Sequence, residues 1–313
     1  MRSPTIAYVF PGTGSQYVGM GKKIYTEFQV ARDIFHSANQ ILGYDISQKC
    51  FSGGILELHK TLISLPAIFT VSIACCEVLK LFRNETPKYY AGHSVGEYAA
   101  LTSSGAISFR EGLELVQYRA KLAEEAKKTQ PMTMSVVKGV SYKEIENLCN
   151  NYADAGMVNV GCYNSQEQVL ITGNENAVQN LEREIHKLFP SAQIIPMVSS
   201  PAFHSYLLSY QANKLSTRLS ECDWRGWNNP VLSNVSSQPY DNKTQAIPYL
   251  TEQLYKPVQW VGIMNFLYSQ GIETIIEVGP QSILKQLSNN PTIKFYSFDI
   301  PADRKILLSN STL

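Results

Sequence analysis

The sequence predicts an α/β fold, with a large domain on a mostly parallel sheet interrupted by a smaller inserted unit. Three observations carry this. Strand-like and helix-like segments alternate through the first 129 residues, the pattern of successive βαβ units. "YYAGHSVGEYAAL" (89–101) reads as strand, sharp turn and helix, with Ser94 at the centre of G-x-S-x-G, the layout of a nucleophile elbow. Between residues 130 and 199 the order changes to β-α-β-β-α-β, the ferredoxin-like split unit. The expected division is therefore 1–129 with 200–313 as a hydrolase-like large domain, and 130–199 as the ferredoxin-like small domain.

Each element follows from local pattern. "TIAYVF" is a short apolar run of strand type, and "GMGKKIYTEFQVARDIFHSANQIL" is helical with breaks. "LPAIFTVSIACCEVLKLF" reads as a buried helix opened by Pro66; Glu77 and Lys80 make it too charged for a bilayer span. After the elbow, "REGLELVQYRAKLAEEAKK" repeats apolar residues at helical spacing. The insert reads "MTMSVVKGV" strand, "SYKEIENLCNNYA" helix, "MVNVGCYN" and "QVLITG" strands, "NENAVQNLEREIHKLF" helix and "AQIIPMV" strand. The α/β pattern then resumes with "PVLSNV", "VGIMNFLYSQ", "ETIIEVG" and "SILKQL".

Composition narrows the function. A formal net charge of +1 over 313 residues gives no electrostatic case for nucleic acid or an anionic membrane. "MRSPTIAYVFPG" is cut short by Pro11-Gly12 and reads as a first strand, not a signal peptide. Six cysteines without a C-x-x-C pair imply neither a zinc site nor a disulfide framework, and fit a reducing cytoplasm.

A serine nucleophile needs a base. Of five histidines, His36, His59 and His186 lie among polar helical residues, and His93 precedes Ser94 on the turn, where neighbours point different ways. His204, in "VSSPAFHSYLL", falls where the small domain rejoins the large one, the place for a cleft. The residues alone leave His204 evenly balanced between base and structural histidine. The helix behind the elbow offers free N–H groups to a developing oxyanion.

At this point the chain resembles the malonyl-CoA:acyl carrier protein transacylases and the related free-standing, trans-acting acyltransferases of polyketide synthases. The motifs are "YVFPGTGSQYVGMG", "AGHSVGEYAAL", "LVQYRAKL", "NSQEQVLITG", "PAFHS", "EQLYKPVQW" and "IEVGP", in that order from about residue 5 to about residue 290. The resemblance implies Ser94 as nucleophile, His204 as its base, and a main-chain oxygen at Gln253 orienting that histidine. It implies an oxyanion hole from the N–H groups of Val95 and Thr13, Arg119 as a clamp on the malonyl carboxylate, and His93 and Phe203 beside the substrate; Asn164, in "YNS", matches a residue near the same cleft and reads equally as a turn former before the next strand. No permanently bound cofactor or metal is implied. CoA thioester and the phosphopantetheine of an acyl carrier protein are substrates, and the enzyme is expected to be a cytoplasmic monomer.

Three positions depart from the family pattern: Thr13 and Leu65 where glutamine is usual, and Ala123 where methionine is common. They raise the expectation of space for a hydroxy- or amino-malonyl unit, with malonyl as the default because Phe203 crowds the α-carbon. A proofreading acyl hydrolase and a non-catalytic docking module are the other function classes; the retained Arg119 argues against the first, and Ser94 with His204 against the second. Arg183 and Lys187 are candidate carrier contacts only because carrier proteins are acidic.

Overall fold

The computed structural model describes residues 5–151, 157–197, 200–288 and 290–309. Among them are ten strands: β1 (Ile6–Phe10), β2 (Tyr89–Gly92), β3 (Met132–Lys138), β4 (Val158–Ser165), β5 (Gln168–Asn174), β6 (Gln193–Pro196), β7 (Val231–Leu232), β8 (Pro239–Tyr240), β9 (Thr274–Glu277) and β10 (Lys294–Ser297). They form a six-stranded sheet in the order β10-β9-β1-β2-β7-β8 and a four-stranded sheet in the order β4-β5-β3-β6. In the larger sheet every pairing is parallel except β7 with β8. β1 lies at its centre and all five of its residues are buried, as a parallel strand covered on both faces requires. The fold is thus α/β with a largely parallel sheet and a ferredoxin-like subdomain.

The apolar helix begins earlier than the sequence indicates. It runs Thr61–Lys80, with Pro66 inside it rather than opening it. Proline lacks the N–H that would bond the carbonyl of Leu62. That carbonyl instead accepts from the Tyr44 hydroxyl at 3.3 Å. This helix is long and apolar enough to cross a membrane, yet it is mostly buried within the molecule. It packs beside Phe109–Thr129, whose N-cap Ser108 accepts from Glu111 N.

The smaller sheet is antiparallel, and its two faces do different things. Val137, Val160, Val169 and Ile171 pack with Val178, Leu181 and Ile185 of the Glu175–Leu188 helix in a separate small core. Met134 and Leu170, on the alternate positions of their strands, belong to the main core, as the two-residue period of a strand dictates, and Cys162 joins them because a register shift follows Val160 in β4. Arg183 and Lys187 are exposed on that outer helix, across the sheet from the main core.

"PVLSNV" is a strand only over Val231–Leu232, because Asn234 leaves the sheet to bond the elbow. The helices Ser209–Ser220 and Lys243–Gln253 carry no strong sequence signal. Lys294–Ser297 and Pro301–Leu307 extend the large layer past the last motif. All six cysteines are buried free thiols.

Candidate active site

The elbow is built by close approach. β2 ends at Gly92 and the next helix begins at Gly96. A Cβ on Gly92 would lie 1.9 Å from the Gly96 carbonyl carbon, and one on Gly96 would lie 2.2 Å from Phe10 O. No side chain fits either position, so both glycines are needed to let turn and sheet touch. Ser94 between them has φ 52°, in the left-handed region that non-glycine residues rarely occupy. His204 is in the same region, with φ 62°. Two side chains meeting from two strained backbones is the kind of arrangement that persists only when its surroundings hold it.

Those surroundings are polar and nearly saturated. Ser94 N donates to Asn234 Oδ1 at 2.7 Å, and Asn234 Nδ2 donates to Gly92 O at 2.6 Å. Gln253 Nε2 donates to Ser94 O at 3.0 Å and to Glu97 Oε2 at 2.7 Å. Tyr240 Oη donates to Glu97 Oε1 at 2.7 Å, and Asn234 N to Glu97 Oε2 at 3.3 Å. Glu97 is fully buried on the elbow helix, and burial pushes its carboxyl up to about 7 against the pull of Tyr240, Gln253 and Asn234.

Ser94 Oγ and His204 Nε2 are 2.7 Å apart. His204 Nδ1 faces two acceptors, Gln253 O at 2.8 Å and Lys256 O at 3.2 Å. Carbonyls only accept, so the ring proton is on Nδ1 and Nε2 offers its lone pair to the serine hydroxyl. Burial, with Arg119 and then His93 as further causes, holds the ring down to about 3, so it is neutral and free to act as a base. Val95 N and Thr13 N have no acceptor among the described residues. His93 Nε2 lies 2.8 Å from Asn164 Oδ1, and burial holds that ring down to about 4.

Arg119 projects from the long helix to the same point. It is 0% exposed, yet no carboxylate bonds it. Nη2 donates to Ser94 Oγ at 3.1 Å, while Nε and Nη1 have no partner among the described residues. Its guanidinium lies 4.3 Å from the centroid of the Phe203 ring. A buried cation with two idle donors is costly unless something anionic and planar arrives.

These groups border a cavity of about 550 Å³ between the two sheets. Thr13, His93, Ser94, Asn164, Phe203 and His204 line it. His93 and Ser94 therefore face one space, not opposite ones. Arg119 lies behind the wall, under Phe203. Ala123 does not line the cavity, contrary to the expectation that it opens room there. It shares a helix face with Arg119, but only the long arginine reaches the nucleophile, and the methyl stub stays in the core. Leu65 is likewise a core residue. Arg183 and Lys187 sit on the outer helix of the small sheet, whose other face meets the cavity, and so are not beside it. No three His, Cys, Asp or Glu side chains among the described residues gather as a metal site would need.

Sequence reasoning missed Glu97, Asn234 and Tyr240. Glu97 resembles an ordinary first-turn acid, and Asn234 and Tyr240 lie 137 residues or more from their partners. The one available signal was a lone carboxylate at the start of a helix whose next four residues, Tyr98 to Leu101, carry no charge and are all buried.

The chain matches the acyl transferase domain over residues 7–296. It is 33% identical over 311 residues to the malonyl CoA-acyl carrier protein transacylase of Bacillus subtilis (strain 168), covering 98% of this chain and 97% of that protein. The protein of the same name from Salmonella typhimurium (strain LT2) is 33% identical over 282 residues, covering 90% and 91%. Among solved structures, a type II PKS acyl-carrier protein in complex with its malonyl-transacylase aligns through the transacylase with TM-score 0.92 and 31% identity over 98% of this chain and 100% of that one. The malonyl CoA-acyl carrier protein transacylase of Coxiella burnetii aligns with TM-score 0.93 and 27% identity, covering 99% of each chain.

Proposed function

We propose a division of labour at the cavity from the premise that this chain belongs to the acyl transferase domain family. The enzyme moves a malonyl unit from CoA to an acyl carrier protein in polyketide or fatty-acid biosynthesis. Ser94 attacks the thioester carbonyl as His204 Nε2 takes its proton. The oxyanion is received by Val95 N–H and Thr13 N–H, which have no other acceptor among the described residues. His204 returns the proton to the departing CoA sulfur, leaving a malonyl-serine. The phosphopantetheine thiol of the carrier then gives its proton to His204 and attacks the ester, and Ser94 recovers its proton. Gln253 O and Lys256 O hold the ring in the productive tautomer throughout.

The observation that carries this reading is Arg119: fully buried, touching Ser94 Oγ, with Nε and Nη1 unpartnered. A malonyl carboxylate supplies the missing planar anion. A neutral acyl group leaves the cation unpaired, which favours transfer of a dicarboxylic unit over hydrolysis of acetyl or butyryl groups. His93 and Asn164 hold each other at the cavity wall, and Phe203 crowds the α-carbon. With Ala123 off the wall, the case for a hydroxy- or amino-malonyl donor rests on Thr13 alone, and plain malonyl is the stronger reading. Residues 1–129 with 200–313 form the unit bearing the nucleophile, and 130–199 the unit that closes over it. The six buried free thiols support a reducing, cytoplasmic setting. We take the working form to be a monomer with no resident cofactor.

Intact mass after incubation with malonyl-CoA alone tests the reading. One malonyl adduct on the Ser94 peptide is expected, absent in Ser94→Ala. An adduct that persists in that variant removes Ser94 from its role.

A further inference from the structure

One wall of the cavity is marked at regular intervals. Met134, Val136 and Lys138 line it from β3, with Leu170 and Gln168 beside them on β5. The antiparallel register pairs Met134 with Thr172, Val136 with Leu170 and Lys138 with Gln168. Thr172 Oγ1 donates to Phe203 O at 2.9 Å, so the Met134 end of the wall is fixed beside the Ser94–His204 pair. Lys138 lies four residues further on, roughly 14 Å away at about 3.4 Å per residue. An extended pantetheine arm puts roughly 15 Å between its thioester sulfur and its phosphate, from bond lengths of about 1.5 Å. The two lengths agree.

The chemistry along the wall agrees too. Val136, Leu170 and Ile195 make an apolar middle, suited to the geminal dimethyl group of pantetheine. Lys138 is the only lysine or arginine among the lining residues, is half-buried, and has no carboxylate partner among the described residues. A cation without an internal partner at the far end of an apolar channel points to an anion brought by the substrate.

We propose that Lys138, with Gln168 beside it, binds the phosphate of the 4′-phosphopantetheine arm that CoA and the carrier protein share. The proposal rests on the acyl-transfer reading above, and adds a cation, Lys138, that no motif in the sequence marks. The ion pair acts on binding and not on the reacting atoms, so its loss raises KM and spares kcat.

The test compares malonyl-CoA with malonyl-pantetheine, the same thioester without phosphate, as donors. Lys138→Ala is expected to raise KM for malonyl-CoA about ten-fold, the size of one partly exposed charge-assisted hydrogen bond, with kcat nearly unchanged. KM for malonyl-pantetheine stays where it was. Lys138→Arg restores most of the loss, and the wild-type preference for the phosphorylated donor shrinks with added salt while that of Lys138→Ala does not. KM for the holo-carrier as acceptor rises in parallel. Equal losses on both donors, or an unchanged KM for malonyl-CoA, overturn the proposal. A rise confined to CoA assigns the contact to its diphosphate and overturns the shared-arm reading. Wild type that transfers malonyl from neither donor defeats the acyl-transfer reading itself, a different result from loss of phosphate selectivity.

Discussion

Ser94, His204 and Arg119 converge on one oxygen atom, and each distance predicts something separate. Removing one partner of a buried charge pair costs about 2–5 kcal/mol. Arg119→Ala should therefore slow malonyl transfer about 30- to 4000-fold at 1.4 kcal/mol per decade, while acetyl transfer falls much less. Rates with the two donors check this, and an equal loss on both would mean the arginine only supports the fold. The His204 ring is held down to about 3, so acylation should keep its rate as pH falls through 6.5, where an unperturbed imidazole would protonate. Single-turnover acylation between pH 5 and 8 reads this directly. A steep loss centred near 6.5 would show that the ring titrates there as an ordinary imidazole does, in spite of its burial. These three residues were legible because motifs carry them. Glu97 and Asn234 were not, because their importance lies in contacts across more than 130 residues of chain, which local pattern does not encode.

At the scale of the element, local rules worked where the period was clear and failed where tertiary contacts replaced a local bond. The elbow, the Phe109–Thr129 helix and the β-α-β-β-α-β insert were readable from spacing. The Thr61–Lys80 helix starts before the point its sequence indicates, because a proline reads as a first-turn residue and nothing nearby reveals Tyr44. Tyr44→Phe should remove the hydrogen bond that relieves the Leu62 carbonyl, costing about 0.5–1.5 kcal/mol in urea unfolding with an unchanged m-value. A midpoint equal to wild type would show that water serves that carbonyl equally well. Gly92→Ala tests the elbow more severely. Its Cβ would meet backbone, which cannot step aside, so the loss should reach or exceed the upper end of overpacking, about 3 kcal/mol. A stable Gly92→Ala protein would mean the turn has more freedom than the 1.9 Å approach allows.

Over the whole molecule, four buried titratable groups pull stability in opposite directions. Glu97 and Glu277 are pushed up to about 7 by burial, so the folded state holds protons that the unfolded chain releases near 4.5. Their contribution is complete below about 4.5 and is lost as pH rises to about 7. His93 and His204 are pushed down to about 4 and about 3, so the folded state lacks protons that the unfolded chain binds below 6.5. Their contribution is complete above 6.5 and is lost as pH falls toward 3. Between about 4.5 and 6.5 the two pairs oppose each other, and the melting temperature should change little across that window. Glu97→Gln removes one falling contribution, so its melting temperature should rise with pH there. A variant curve parallel to wild type would show that Glu97 titrates in the folded protein as it does in water. The order in which the strands arrive has a further consequence. β1 at the N-terminal end pairs with β9, placing Ile6 against Thr274, and the carbonyls that aim His204 come from residues 253 and 256. A chain emerging from the ribosome holds its nucleophile and its arginine long before it holds a finished central sheet or an oriented base. A chain truncated before residue 253 is therefore expected to carry its nucleophile and arginine without an oriented base or a finished central sheet.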